Sequence, residues 1–532
     1  MQLSYATLKN KILGCYNGKN IGGTLGAPFE GIRAVHNVNF YTQKDIYNNP
    51  PPNDDLDLQI VWLNAVERFG TGVNKDILAE YWLTYIYPNW SEYGTGKANL
   101  KRGVMPPMSG RLENIYKDSC GSFIRSEIWA CLAPGHPEIS AVYAYHDACV
   151  DHADEGIWGE MFCASVQSAA FVESDIKKLL SIGLSYIPDY CEVAKAVRCV
   201  VQAYEQGLSW LDARDKLFNE VPGSFGLQTL PLDQWSDQDR LAKPGCDAPN
   251  NIGISIIGLL YGGGDFGNSI CIAVNCGEDT DCTAGFLGAL FGIVYGNDKL
   301  PGKWLNVLNG VINTFCIDRS EWGIFIPKSV EEFAKRILRN IPVFLQADFL
   351  GNPRISLDES ECFSVEAMDA DKLCRPKFEY YAKHLWRNRG GRKFDVGELL
   401  SMPALCEFRE FPTFKAVLAY EKLPYIEQGK SFGFCLKIYD NSMSRTANWA
   451  QIRILTGKGL QTEGDNCFTM PLQNTYHYVA EQHFRVVLTE FHREAEDVFV
   501  EISLNGRSSF GLLRARLMVA EERDVIVSTA KE

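Results

Sequence analysis

The sequence of 532 residues predicts a helical N-terminal domain over residues 1–345 and a mostly β, sandwich-like C-terminal domain over residues 346–532. Two patterns support this division. Apolar residues in the first part recur at three-and-four spacing, which is the period of an α-helix. The second part contains short segments rich in β-branched and aromatic residues, each bounded by turn residues. Roughly 100–200 residues per domain is usual, so the chain is long enough for both.

The helical domain contains two segments with a clear amphipathic period, residues 191–206 and 209–221. The first stops at Gly207, and Asp189 just upstream is its predicted N-cap. Other segments are apolar on nearly every side, which predicts helices in the centre of the domain. These central helices are expected over residues 156–172, 251–261 and 281–295.

The C-terminal domain is expected to form a β-sandwich, because several short strands with turn signals between them are typical of that architecture. Dipeptides such as Asn505-Gly506 mark the turns. The basic stretch 383–393 indicates a linker or an exposed loop. The predicted strands are 414–420, 431–439, 449–455, 477–489, 498–504 and 512–519.

Composition narrows the classes of partner. Hydrophobic residues make up 46% and charged residues 22%, as in ordinary globular proteins. The 66 acidic residues exceed the 52 basic ones, giving a net charge of −14 that repels phosphate backbones, so we expect no nucleic-acid partner.

The longest apolar run, residues 282–295, is shorter than the ~20 residues of a membrane span, so no membrane association is expected. The start lacks the pattern of a signal peptide, and the 17 cysteines form no CxxC pair, which together predict free thiols and a cytoplasmic location.

Small residues at a spacing of four occur in two places. Glycines recur at positions 14, 18, 22 and 26, and small residues recur at 284, 288, 292 and 296. On a helix each set shares one face and allows another backbone to approach closely. Pro28 limits continuation of the first helix, so Glu30 follows a tightly packed element and is positioned to enter a cleft. The alternative for Glu30 is a solvated loop residue.

Acidic residues crowd the starts of two apolar helices. Asn53, Asp54 and Asp55 precede one helix, and Asp279 and Asp281 precede the other. Helix capping explains one such residue at each start, but not the whole group. If the two starts meet, their carboxylates repel one another unless a cation lies between them, and Mg²⁺ prefers such oxygen ligands.

Several segments together resemble the ADP-ribosylglycohydrolase family, which includes dinitrogenase reductase-activating glycohydrolase. They are GGTLGAPFEG (22–31), NDD (53–55) and GEDTD (277–281) with the glycine-rich helix after it. CGSFIR (120–125) is similar to the family's Asn-Gly-x-x-x-Arg segment, and DHADEG (151–156) is similar to its helix-start histidine segment. The resemblance covers roughly residues 8–300, and the β-rich region lies outside it.

This resemblance implies an all-α fold with one or two Mg²⁺ ions, or Mn²⁺ in their place, at the base of a cleft. The implied reaction is hydrolysis of the bond at the anomeric carbon of ADP-ribose, on a protein side chain or a small molecule. Glu30 and Asp55 are the expected catalytic residues. Arg125, His152 and Glu278 are the expected substrate-binding residues. The expected metal ligands are Asn53, Asp54, Asp55, Asp279, Asp281 and Cys282.

Four positions depart from the family pattern. The family usually has Thr at position 53 and Thr or Ser at 282, whereas this chain has Asn53 and Cys282. A thiol is a poor magnesium ligand, so one metal site is expected to be weak or missing. Many relatives have Asp at the position of Gly23 and Gly at the position of Glu278. A divergent subgroup with a different substrate is therefore one interpretation.

Other readings of the same residues stay open. Arg125 can form an internal salt bridge instead of binding substrate, and His152 can be a capping or core residue. The enzyme can also be a glycosidase of the same fold that acts on an N- or O-glycoside other than ADP-ribose. A third hypothesis is a non-catalytic binder of ADP-ribose. Four retained aspartates argue against that third reading.

Overall fold

The computed structural model describes residues 1–222, 245–319, 323–346, 353–357, 362–374, 387–389, 392–393, 405–411, 414–440, 448–472, 479–505 and 510–519. Two structural units divide the chain. One unit consists of Met1–Leu100 and Ser109–Gly397, and the other of Lys101–Met108 and Glu398–Glu532.

The described residues up to 345 are mainly helical, as predicted. The described helices are α1 (Tyr5–Gly26), α2 (Asp54–Phe69), α3 (Lys75–Tyr85), α4 (Ser91–Lys101), α5 (Met108–Arg111), α6 (Glu127–Leu132), α7 (Pro137–Ala148), α8 (Glu155–Ala169), α9 (Ile176–Ser185), α10 (Glu192–Glu205), α11 (Trp210–Glu220), α12 (Ala248–Tyr261), α13 (Phe266–Asn275), α14 (Thr280–Tyr295), α15 (Gly302–Leu308) and α16 (Val330–Leu345). The three predicted central helices correspond to α8, α12 and α14, which are buried along nearly their whole length.

The N-cap predicted for α10 is wrong. The cap is Cys191, whose sulfur accepts a hydrogen bond from the Ala194 N–H. Asp189 lies outside the helix and pairs with Arg198 through an Oδ1–Nη2 contact of 2.5 Å. Asp189 lies in the turn before the helix, where the Cys191 N–H donates to the Pro188 carbonyl oxygen over 3.3 Å.

The two small-residue faces predicted from the sequence pack against each other. In this antiparallel pair, Gly14 of α1 lies against Gly292 of α14, and Gly18 lies against Gly288. A Cβ at Gly18 would overlap the Gly288 carbonyl oxygen. The contact brings the end of α1 to the start of α14, because Gly26 lies against the Thr280 carbonyl.

A small sheet in the same unit was not predicted. Strand β1 (Gln2–Ser4) pairs antiparallel with β3 (Phe363–Glu366), and β3 also pairs with β2 (Ile355–Leu357). The strands of this sheet are only three or four residues long, too short for an alternating pattern to stand out in the sequence. β4 (Arg387–Arg389) and β5 (Arg392–Lys393) form an antiparallel pair, and the remainder of the predicted linker 383–393 lies outside the described residues.

The second unit contains two five-stranded sheets. All six predicted strands have counterparts in them. One sheet has the order β12-β10-β14-β15-β8 and the other β11-β13-β9-β7-β6. The strands are β6 (Cys406–Glu410), β7 (Phe414–Tyr420), β8 (Tyr425–Ile426), β9 (Ser431–Asp440), β10 (Asn448–Thr456), β11 (Leu460–Thr462), β12 (Cys467–Leu472), β13 (Val479–Leu488), β14 (Ala495–Leu504) and β15 (Phe510–Val519).

The two sheets share one hydrophobic core. Leu418 and Leu436 from one sheet and Ile452 and Val500 from the other belong to a single buried cluster. Burial alternates along the strands, for example on β14, so one face of each sheet is turned inward. This arrangement is the predicted sandwich. Among the described helices of the chain, none has the length and apolar character needed to cross a bilayer.

Candidate active site

Three chain segments meet where α1 ends, α2 begins and α14 begins. After α1 a 3₁₀ turn, Ala27–Phe29, leads to Glu30. The next residue, Gly31, donates its N–H to the Glu278 carbonyl oxygen over 3.0 Å. This backbone contact holds the loop after α1 against the residues that start α14, so Glu30 lies beside the aspartates of that helix.

The carboxylates form two overlapping groups that share Asp281. Glu30, Asp279 and Asp281 each offer an oxygen within 4.8 Å of the others. Asp55, Asp281 and Cys282 likewise bring one ligand atom each within 4.8 Å. The structure therefore brings together carboxylates from both acidic helix starts, with Glu30 beside them.

Asn53 links the two helix starts. Its Oδ1 accepts a hydrogen bond from the Asp55 N–H over 2.7 Å, so Asn53 is the N-cap of α2. Its Nδ2 donates to Asp281 Oδ2 over 3.2 Å. The Asn53 Oδ1 atom, which was expected to bind a metal ion, therefore caps the helix instead. The Nδ2 atom faces the Asp281 carboxylate.

The other carboxylates of α2 have separate partners. Asp54 accepts a hydrogen bond from the Tyr93 hydroxyl over 2.9 Å. Asp57 is fully buried and accepts the N–H groups of Phe315 and Cys316, each over 2.8 Å. The first turn of α2 thus brings Asp55 to the site, while Asp57 of the same turn holds the loop that bears Phe315.

Lys19 is a buried cation that the sequence analysis missed. Its side chain is only 2% exposed, and its Nζ lies 3.3 Å from Asp55 Oδ2 and 3.3 Å from a Glu127 oxygen. Burial alone would lower the pKa of Lys19, but the Glu127 and Asp55 carboxylates more than offset this and raise it. The available signal was a charged residue inside the glycine-rich run of α1, a helix whose small residues predict close packing.

Burial raises the pKa of every carboxyl group in the site. The pKa of Asp55 rises to about 7, and those of Asp279 and Asp281 rise well above the usual value. Although Glu30 is partly exposed, desolvation by the surrounding protein and the Asp54 carboxylate raise its pKa as well. One lysine does not balance this amount of negative charge.

A hard divalent cation fits these residues. Asp279 Oδ1 and Asp281 Oδ1 are buried and have no hydrogen-bond partner in the described part of the chain. Buried carboxylate oxygens normally have partners, and leaving them unpaired costs several kcal/mol per ionised group. A cluster of carboxylate oxygens around a small volume is the donor set that Mg²⁺ and Mn²⁺ prefer.

Two of the expected substrate-binding residues have buried partners of their own. Arg125 is fully buried and pairs with Asp147 at 2.7 Å and Asp151 at 2.6 Å. His152 is also fully buried, with its Nδ1 2.9 Å from Asp151 Oδ1 and its Nε2 2.9 Å from Ser119 Oγ. This geometry favours the internal salt bridge and the core role that the sequence analysis left open.

Glu278 has a buried cationic partner. Its Oε2 lies 3.4 Å from Nε of Arg33, and both side chains are almost fully buried. Glu278 has a positive φ of 68°, a backbone geometry that glycine adopts without strain. This agrees with glycine being common at the position in relatives. Glu278 is not among the residues whose oxygens converge with those of Glu30, Asp279 and Asp281.

A model of the ADP-ribosylglycohydrolase family matches residues 4–341. The chain belongs to the ADP-ribosylglycohydrolase family. The matched region ends within α16, so the two five-stranded sheets lie outside it. A solved structure described as an ADP-ribosylglycohydrolase-related protein complex is similar at 18% identity, with a TM-score of 0.41 over 64% of this chain and 98% of that chain. No curated protein sequence matches this chain.

Two departures from the family pattern are connected in space. A Cβ at Gly23 would lie 2.7 Å from Nδ2 of Asn53, so a side chain at position 23 would displace the amide. The small residue at 23, where many family members have Asp, therefore leaves room for Asn53 to reach Asp281. Gly23 and the Asn53 amide therefore depend on each other in the packing between α1 and α2.

Replacing Lys19 with methionine should lower the free energy of unfolding by about 3 kcal/mol, because it leaves Asp55 and Glu127 buried without their shared cation. Urea unfolding measures this change. Lys9→Met is the matched control on α1, since Lys9 is 39% exposed and pairs loosely with Glu331 at 3.8 Å. The control should change stability by no more than about 0.5 kcal/mol. Equal effects of the two variants would contradict the buried pairing.

Mg²⁺ should raise the melting temperature more at pH 8 than at pH 5. The Asp55 carboxyl has a pKa of about 7 when folded against 3.8 unfolded, so the metal-free fold keeps its proton at pH 5. The protonated Asp55 carboxyl therefore stabilises the metal-free fold fully below about pH 4. This stabilisation is lost as the pH rises through about 7, where the ionised carboxylates repel one another. Scanning calorimetry with and without Mg²⁺, at constant ionic strength, measures the difference. A larger Mg²⁺ effect at pH 5 would contradict this account.

Proposed function

We propose that the helical unit is a metal-dependent hydrolase that cleaves the glycosidic bond of an ADP-ribosylated protein or small molecule. The observation that carries the proposal is the convergence of Glu30, Asp279 and Asp281 within 4.8 Å. Membership of the ADP-ribosylglycohydrolase family supports glycoside hydrolysis as the reaction class and ADP-ribose as the sugar.

Asp54, Asp55, Asp279 and Asp281 are the residues that would hold the divalent ion. When bound, the ion supplies positive charge that offsets these carboxylates and stabilises negative charge on nearby oxygens. The fixed positions of the aspartates orient the ribose hydroxyls relative to Glu30. This orientation reduces the entropy cost of reaching the transition state.

Glu30 is the residue best placed to move a proton. Glycoside hydrolysis proceeds through an oxocarbenium-like transition state, and it needs a base for the attacking water or an acid for the leaving group. Among the three carboxylates that converge, Glu30 is the most exposed, so it can meet both substrate and solvent. The pKa of Glu30 is raised toward neutral pH, which suits a group that must both accept and release a proton.

Exposed aromatic rings beside the site are candidates for stacking with a nucleobase or sugar. Trp90 is 51% exposed and Phe315 is 46% exposed, with ring centroids 5.9 Å apart. Trp90 also stacks on Tyr93, whose hydroxyl donates to Asp54. These contacts support binding of an aromatic base next to the carboxylates.

The test is a hydrolysis screen with the full-length chain, stripped of metal and reloaded with Mg²⁺ or Mn²⁺. The panel contains ADP-ribose linked to guanidine, hydroxyl and carboxyl groups, together with ordinary N- and O-glycosides. Glu30→Gln should lower turnover by about 10²–10⁴-fold, the usual contribution of a general acid or base. Metal affinity should remain near that of the wild type.

Glu80→Gln is the control, since Glu80 is an exposed glutamate on α3. Turnover that needs no divalent ion, or full activity of Glu30→Gln, would contradict the proposal. Hydrolysis confined to glycosides without ADP-ribose would indicate the glycosidase alternative. Tight ADP-ribose binding with no hydrolysis would indicate a binder.

A further inference from the structure

Three cysteines from distant parts of the chain lie next to Asp279. Cys120 precedes the 3₁₀ turn Phe123–Arg125, Cys246 precedes α12, and Cys282 is in the first turn of α14. Their spacing in the sequence matches no zinc motif, so the sequence alone does not reveal the group. Two of the three stand in segments that resemble the family, and the family usually has other residues there, Asn at 120 and Thr or Ser at 282.

The distances among these residues suit a metal ion. The sulfur atoms of Cys120 and Cys246 and an oxygen of Asp279 lie within 4.8 Å of one another. The Cys120 thiol donates to Asp279 Oδ2 over 2.8 Å. The Cys282 thiol lies beside this group but donates to Asp55 Oδ1 over 3.7 Å.

The backbone fixes this geometry from two sides. The Cys120 N–H donates to the Cys246 carbonyl oxygen over 2.6 Å, so the two cysteines are held together before any ion binds. Asn251 Oδ1 accepts the Asp279 N–H over 3.1 Å, and its Nδ2 donates to the Gly245 carbonyl over 2.9 Å. One side chain on α12 therefore ties the Cys246 segment to Asp279.

A buried cysteine is usually a small apolar residue, but this group differs from that pattern. Cys120 is 2% exposed and Cys282 is 6% exposed, yet each thiol donates to a carboxylate, that of Cys120 to Asp279 Oδ2 and that of Cys282 to Asp55 Oδ1. Asp279 Oδ1 is buried without a hydrogen-bond partner among the described residues. A cation would satisfy that oxygen.

We propose that Cys120, Cys246 and Asp279 bind a thiophilic divalent ion of the zinc class. Thiolates select such ions over Mg²⁺, and three protein ligands leave a fourth position that Cys282 or a small ligand can fill. Binding releases the two thiol protons. Asp279 belongs to both the sulfur group and the carboxylate group, so the ion would sit directly beside the proposed catalytic residues. The inference does not depend on the proposed hydrolysis.

Co²⁺ is the probe, because thiolate ligation gives it a sulfur-to-metal charge-transfer band in the near ultraviolet. The reduced, metal-free, full-length protein should develop this band with one equivalent of Co²⁺. Zn²⁺ should abolish the band, and excess Mg²⁺ should leave it unchanged. The double variant Cys120→Ser/Cys246→Ser should lose the band. Cys271→Ser is the control, a cysteine of α13 that is 8% exposed and is not in any of the candidate metal groups.

Zinc X-ray absorption on the wild-type protein provides a second measurement that needs no variant. A sulfur shell at about 2.3 Å supports the proposal. A shell of oxygen and nitrogen alone overturns it, as does a charge-transfer band that survives in the double variant. Neither readout involves turnover, so failure here leaves the proposed hydrolase intact, and an inactive protein can still confirm the sulfur site.

Discussion

Asp281→Asn is expected to abolish binding of the divalent ion and to lower turnover by about 10³-fold, because charge stabilisation by a bound ion is worth several kcal/mol and each 1.36 kcal/mol is tenfold in rate. Asp281 is the carboxylate common to both oxygen groups, so its loss affects each of them. Isothermal titration with Mn²⁺ and steady-state kinetics measure the two effects.

The same substitution should make the metal-free protein more stable, which separates loss of function from misfolding. Burial raises the pKa of Asp281 most, and the carboxylates of Asp279, Glu30 and Asp55 raise it further, so like charges repel one another in the wild-type site when no ion is present. Asparagine removes one of these charges and can still accept the hydrogen bond from Asn53. We expect a higher melting temperature without metal and no further rise when Mn²⁺ is added.

Asp57→Asn is the matched variant, because it lies in the first turn of the other helix and should give the opposite result. Asp57 accepts two backbone N–H groups from the loop that carries Phe315. Its replacement should destabilise the fold by about 1–3 kcal/mol, since hydrogen bonds to charged groups are stronger than neutral ones. The rise in melting temperature with Mn²⁺ should persist. If Asp281→Asn still binds the ion, the metal model is wrong.

The fold and the crowding of carboxylates at two helix starts were predictable because they depend on local patterns. Helical period, β-branched segments and turn residues are properties of neighbouring residues, and they predicted the central helices and the strands. The glycine spacing on α1 and the small residues on α14 predicted two close-packing faces. The crowding of acids at two helix starts predicted that a cation would be needed.

Tertiary contacts decide what the sequence could not predict. Lys19, Glu127 and Asp55 come from three separate helices or their ends, and nothing in their local sequence indicates that they meet. Arg125 and His152 looked like ligands of a substrate because the segments resemble the family's. In the structure both lie against the buried Asp151. A motif identifies a residue type at a position, but burial and partners determine what that residue contacts.

The group of cysteines beside Asp279 likewise could not be predicted from the sequence. Cys120, Cys246 and Cys282 are spread over more than 160 positions of the chain, and each resembles an ordinary cysteine when taken alone. Only the close approach of their chain segments suggests a common ligand. A site assembled from distant segments can therefore be recognised only in the three-dimensional structure, whereas a site at a helix start can be anticipated from the residues found there.

Gly18→Ala is expected to lower the free energy of unfolding by about 2–3 kcal/mol, although alanine favours a helix over glycine by about 1 kcal/mol. The added methyl group would overlap the Gly288 carbonyl oxygen, and backbone on both sides leaves no flexible side chain to move away. Helices α1 and α14 would have to separate. Urea unfolding, followed by circular dichroism, measures the loss.

Separation of these helices should also weaken metal binding, because Lys19 of α1 pairs with Asp55, which would move away from Asp281 of α14. We expect Mn²⁺ affinity to fall by about 10–100-fold, the range observed when the support of a metal ligand is lost. Gly302→Ala is the control, since its Cβ would meet only Asn306 Nδ2 at 3.4 Å and should change neither stability nor affinity. A Gly18→Ala protein with wild-type stability and affinity would mean that the close packing of α1 against α14 does not set the geometry of the site.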